Sequence, residues 1–162
     1  MNAERRTATT SGSLPHRSVV PATGLALSVA GLAVSTYLTV AHYTSPSVLA
    51  CSGSGIVDCA KVTTSSESVI AGIPVAVLGL VFFAAMVGLN LPAAWRSTSP
   101  AIWRTRLALA TVGMVMVLWL VYAELFRIGS ICIYCTAVHL LTFGLFVLVV
   151  FNPRPRERRS NR

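Results

Sequence analysis

The sequence predicts an all-α membrane protein, a bundle of four transmembrane helices with a long outer loop between the first helix and the second. Three observations predict it. Apolar residues make up 54% of the chain and charged residues only 11%, with a mean hydropathy of +0.71. So few charges cannot screen that much apolar surface from water, which makes lipid the fitting solvent. The apolar residues gather into stretches of about 20, the length a hydrocarbon core of about 30 Å requires. The positive charges fall almost wholly in the segments on one side of those stretches.

The first span runs from roughly Val19 to Tyr43. Its apolar run exceeds the 7–15 residues of a signal-peptide core, so it reads as a transmembrane helix. The second runs from roughly Val69 to Leu91, with Pro74 tolerated in its first turn if regular helix begins near Ile73. The third runs from roughly Leu107 to Phe126 and the fourth from roughly Ile131 to Phe151. Pro21, Pro92, Pro100 and Pro153 stand at or beyond span ends, where a helix loses little to proline. Gly24, Ser28, Gly31 and Ser35 form one small-residue face on the first span, and Gly72, Ala76 and Gly79 repeat the device on the second. Such faces let helix backbones approach closely in lipid, where hydrophobicity gives helices no reason to associate.

Eleven of the thirteen basic residues lie in the N-terminal segment, in the connection holding Arg96, Arg104 and Arg106, and in the C-terminal segment. Only Lys61 and Arg127 fall on the other side. The positive-inside rule then makes residues 1–18 a cytoplasmic basic tail, 19–151 the membrane domain and 152–162 a cytoplasmic Arg-rich tail. The expected location is a multi-pass protein of the inner or plasma membrane. The net charge of +8 does not indicate nucleic-acid binding, because no basic stripe interleaved with aromatics accompanies it.

All four cysteines fall on the outer, oxidising side, where disulfides form and persist. Cys132 and Cys135 open the fourth span at i, i+3, which places both sulfurs on one helix face. A helix N-terminus favours the thiolate, and the more exposed sulfur is expected to gain most. His139, Thr142 and Phe143 continue that stripe into the bundle. His139 also reads as an ordinary hydrogen-bonded bundle histidine. Cys51 and Cys59 lie in the outer loop, joined through Gly53 and Gly55, so each could pair with the other or with a sulfur from outside. Zinc binding and two inert disulfides are the other readings of four cysteines, although C-x7-C is not a tight zinc knuckle. Glu124, costly in lipid, is expected to pair with Arg127 three residues on.

These residues together resemble the vitamin K epoxide reductase family, specifically its bacterial branch, from Val19 to Phe151. The resemblance rests on four spans, a loop C-x7-C followed by a Ser/Thr-rich stretch, Gly72-Ile73-Pro74 through Gly79, and the run from Cys132 to His139. It implies that Cys51 and Cys59 are the family's loop pair and that Cys132 and Cys135 are its active-site pair. Ser65 matches a loop Ser/Thr near that site. Val75 stands where animal members hold the quinone with Asn, and His139 stands where they have Tyr, so Ser65, Val75 and His139 are the residues expected to border a quinone.

By the same resemblance the expected function is a thiol–quinone oxidoreductase supporting disulfide formation. A DsbA-like thioredoxin-fold protein, separate from this chain, would be reoxidised by Cys51–Cys59. Electrons would pass through Cys132–Cys135 to menaquinone or ubiquinone, with no metal involved. Two rivals stand beside it: reduction of a naphthoquinone epoxide, and a non-enzymatic membrane scaffold stapled by structural disulfides.

Overall fold

The computed structural model describes residues 16–45, 48–51, 55–97 and 99–152. In chain order these form α1 (His16–Tyr43), α2 (Cys59–Thr63), β1 (Val69–Ile70), β2 (Ile73–Pro74), α3 (Val75–Asn90), α4 (Pro92–Arg96), α5 (Pro100–Tyr122) and α6 (Ile133–Phe151). A 3₁₀ turn covers Ser66–Ser68, and a π-helical turn, Ala123–Ile128, extends α5. The expected tails, 1–18 and 152–162, lie outside the described residues except for the first turn of α1 and Asn152.

The chain is an all-α membrane protein built on three long apolar helices and one shorter one. Val19–Tyr43, Pro100–Ile128 and Ile133–Phe151 are each long and apolar enough to cross a bilayer. The apolar helix α3 has 16 residues, about 24 Å at 1.5 Å per residue. Helix α1 packs against α3 and α6, and α5 packs against α6 and α3.

The second stretch departs most from expectation. Its first residues form a hairpin, with Val69 paired to Pro74 and Ile70 to Ile73, and regular helix starts only after Pro74. Ala71 (φ 51°) and Gly72 (φ 80°) both occupy the left-handed region, as a two-residue hairpin turn requires. Gly72 therefore serves the turn and not a helix face. Helix α5 starts seven residues before the expected Leu107, with Pro100 in its first turn where proline is pre-shaped for helix.

Small residues do admit close packing. A Cβ on Gly31 would land in the ring of Phe83, and one on Gly24 would come 2.8 Å from Oδ1 of Asn90. Ser28 and Ser35 are buried on the same face. At the end of the helices remote from the cysteines, Arg106 is buried rather than in a solvated loop. Its guanidinium donates to the carbonyl of Leu89 in the last turn of α3 and lies 4.0 Å over the ring of Trp95. A cation satisfies the carbonyl end of a helix and is attracted to an aromatic face, which explains its burial.

Candidate functional site

Cys51 and Cys59 form a disulfide, with their Cα atoms 5.7 Å apart. Its surroundings are built by the chain on both sides. Asp58 caps α2, its carboxylate accepting from the amide of Lys61 at 2.9 Å, so Cys59 is held as the first residue of a helix. Val57 bridges to Ile131, with Asp58 N–H donating to the Ile131 carbonyl (3.1 Å) and Ile131 N–H to the Ile56 carbonyl (2.8 Å). Lys61 Nζ donates to Ser130 Oγ at 3.1 Å. On the other side, the Tyr37 hydroxyl donates to the Val48 carbonyl at 2.7 Å, and its ring meets Tyr134 edge-on at 5.0 Å.

These ties carry the loop disulfide onto the start of α6. Cys51, Cys59 and Cys132 belong to one buried apolar cluster with Leu38, Ala41 and Val62. Cys132 and Cys135 are both unbridged thiols, Cys132 buried and Cys135 half-buried. Cys132 is the N-cap of α6, and its sulfur accepts from the Cys135 amide at 3.3 Å. The Cys135 thiol beside it, together with that amide, holds the Cys132 thiol below the ordinary cysteine range, against the opposing effect of burial. Cys132 is fully buried at the start of α6, whereas Cys135 is half-buried. Gly53, one of the two expected loop hinges, lies outside the described residues; Gly55 has φ +78°.

Cys135 opens instead onto a cavity of about 360 Å³ between α1, α3, α5 and α6. Ser65, Val75, His139 and Thr142 line the same cavity, whereas Cys51, Cys59 and Cys132 are not among its walls. Phe143 does not continue the stripe; it is 51% exposed on the face turned away. The Ser65 hydroxyl donates to the Val62 carbonyl at 2.8 Å.

Two wall residues were not foreseen as part of the site. Ser35 Oγ is buried without a hydrogen-bond partner, whereas Ser28, two turns earlier, bonds back to the Gly24 carbonyl at 2.7 Å. Glu124 is buried at 6% exposure and does not pair with Arg127, which bonds Glu67 at 2.9 Å instead. In an α-helix residues i and i+3 share a face. The π-helical turn breaks that spacing and swings Glu124 inward, with its carbonyl accepting from the Gly129 and Ser130 amides.

The volume falls within the range of small-molecule sites, about 300–1,000 Å³, and its apolar walls with a few polar groups suit a flat, weakly polar ligand. Among the described residues no group of three His, Cys, Asp or Glu side chains could hold a metal ion.

Apolar helices around a cavity that one thiol of a CxxC enters, with a disulfide packed against the other, define a membrane thiol–disulfide protein. Residues 23–150 match the family model described as Vitamin K epoxide reductase family, and the chain belongs to that family. Membership makes it one of a family of membrane thiol oxidoreductases that is quinone-linked in general. No curated protein matches the chain.

Proposed function

We propose that this protein oxidises a reduced thioredoxin-fold (DsbA-like) protein outside the membrane and passes the electrons to a membrane quinone, menaquinone or ubiquinone. The observation that carries the reading is the shared burial of Cys51, Cys59 and Cys132 while Cys135 lines the cavity. Such a chain of sulfurs leads from a loop disulfide to a ligand-sized pocket.

The steps are thiol–disulfide exchanges. A partner thiolate attacks Cys51 of the loop disulfide and releases Cys59 as thiolate. The partner's second thiol then displaces Cys51, so the partner leaves oxidised and the loop pair reduced. Cys59 attacks Cys132 of the Cys132–Cys135 disulfide, and Cys51 resolves that bond, returning the loop disulfide and leaving Cys132 and Cys135 reduced. When these two rejoin, two electrons and two protons pass to the quinone, a substrate that departs as quinol. Ser65, Val75 and His139 border it, and the unpartnered Ser35 hydroxyl donates to one of its oxygens.

In this reading the chain has four membrane spans with both termini cytoplasmic, and this chemistry lies at the outer face. The distribution of basic residues supports that orientation. Helix α3 then spans with the hairpin before it completing the depth.

The test is anaerobic turnover by the purified protein with quinone and a reduced thioredoxin-fold donor. Quinol should form in proportion to donor oxidised, and Cys135→Ala should stop it. Absence of quinol from several quinones, with all four thiols intact, would instead support a scaffold with structural disulfides.

A further inference from the structure

Glu124 is an acid inside an apolar helix, and such a residue persists there only with a partner or a task. Among the described residues its carboxyl has no cationic partner, since the one nearby, Arg127, is engaged by Glu67. It lines the same cavity as Cys135 and His139. The Cys135 thiol therefore shares a cavity with a buried carboxyl, while the Cys132 sulfur accepts from the Cys135 amide. The π-helical turn that brings the acid there is an irregularity that an ordinary end of α5 would not need.

We infer that Glu124 is the proton carrier of the site: it takes the Cys135 thiol proton as the Cys132–Cys135 bond forms and delivers it to the quinone oxygen. The inference rests on the thiol–quinone reading above. The balance is complete. One S–S bond forms, two S–H bonds are lost, and two electrons and two protons reach the quinone. One proton is that of Cys135, carried by Glu124. The other is that of Cys132, shed to the outer aqueous phase when its thiolate forms and returned from it. Without the carboxyl, Cys135 must lose its proton to water-borne base that an apolar cavity admits poorly.

Besides the cysteines, the titratable groups around this cavity are His139 on α6, His42 on α1 and Glu67, which Arg127 holds.

The experiment mixes fully reduced protein with ubiquinone in a single anaerobic turnover and compares wild type with Glu124→Gln, a near-isosteric change. The expected result is quinol formation slowed roughly a hundredfold or more in the variant, with a rate that climbs as pH rises. Glu124→Asp should recover part of the rate, and reduction of the loop disulfide by dithiothreitol should be unchanged. A second readout needs no variant: redox-difference infrared spectra of wild type with isotope-labelled glutamate should show a carboxyl band that changes between the dithiol and disulfide states. Equal rates in wild type and Glu124→Gln, or an unmoved glutamate carboxyl band, would overturn the proposal. Failure of wild type itself to reduce quinone would overturn the underlying reading instead.

Discussion

Cys59 and Cys132 are both fully buried and pack into one apolar cluster, although one begins a short helix in the loop after α1 and the other caps the last long helix. What joins them is a set of backbone hydrogen bonds between 56–58 and Ile131, reinforced by Lys61 on Ser130. The contact is thus built into the fold, and burial excludes water from the path between the two sulfurs.

The Cys132 thiol is held below the ordinary cysteine range chiefly by the Cys135 thiol. A lowered value means that thiolate persists to lower pH and is lost only as pH falls through that value. In a Cys51→Ser/Cys59→Ser background, Cys135→Ala removes the main donor while burial remains, so the thiolate absorbance of Cys132 should appear at higher pH. A titration curve that does not move would refute this account of its ionisation.

Asp58→Ala removes the cap of α2, a change that costs about 1 kcal/mol in most helices. Because α2 begins with Cys59, the loss should be felt in transfer between the pairs more than in global stability. The measurement is the rate at which dithiothreitol, added to the protein with both disulfides closed, opens Cys132–Cys135. That rate should fall, with the thermal midpoint little altered.

Val75→Phe puts a ring into the cavity that Cys135 enters. The expected outcome is a KM for quinone raised by about tenfold or more, a loss of about 1.4 kcal/mol. The rate of loop-disulfide reduction should stay as in wild type. An unchanged KM would mean that the quinone binds elsewhere.

Gly31→Ala should destabilise the helix packing by about 1–3 kcal/mol, the usual range for overpacking, because its Cβ meets the Phe83 ring. Pairing it with Phe83→Leu should recover part of that loss in thermal unfolding in detergent. Equal losses with and without the second change would show that the two positions do not share the contact.

Much of this was legible in the sequence. Apolar runs located the three long helices because lipid demands them, and the small residues at Gly31 and Ser28 marked a packing face. Ser65 and Val75, named from family resemblance, line one cavity with Cys135 and His139, which helical spacing already set on one stripe. The hairpin before α3 was missed because Val69, Ile70 and Ile73 are as apolar as a span. Its turn depends on left-handed φ at Ala71, a residue type that seldom adopts it. Arg106 read as a loop charge because sequence does not show the Leu89 carbonyl and Trp95 ring waiting for it. Glu124 was noticed for its cost in lipid but assigned to Arg127, since helical spacing puts them on one face; only the π-helical turn separates them. Ser35 was counted among small residues, and its unmet hydroxyl became visible once its neighbours were placed.

The central claim is that the loop pair and the CxxC pair form one electron path ending at Cys135. The most direct measurement counts quinol formed when fully reduced protein meets excess quinone without oxygen. Since two disulfides can form from the four cysteines, two quinols per chain should form in wild type. One should form in Cys51→Ser/Cys59→Ser, and none in Cys135→Ala. A single quinol from wild type with the loop thiols still reduced would contradict the path, and so would undiminished quinol from Cys135→Ala.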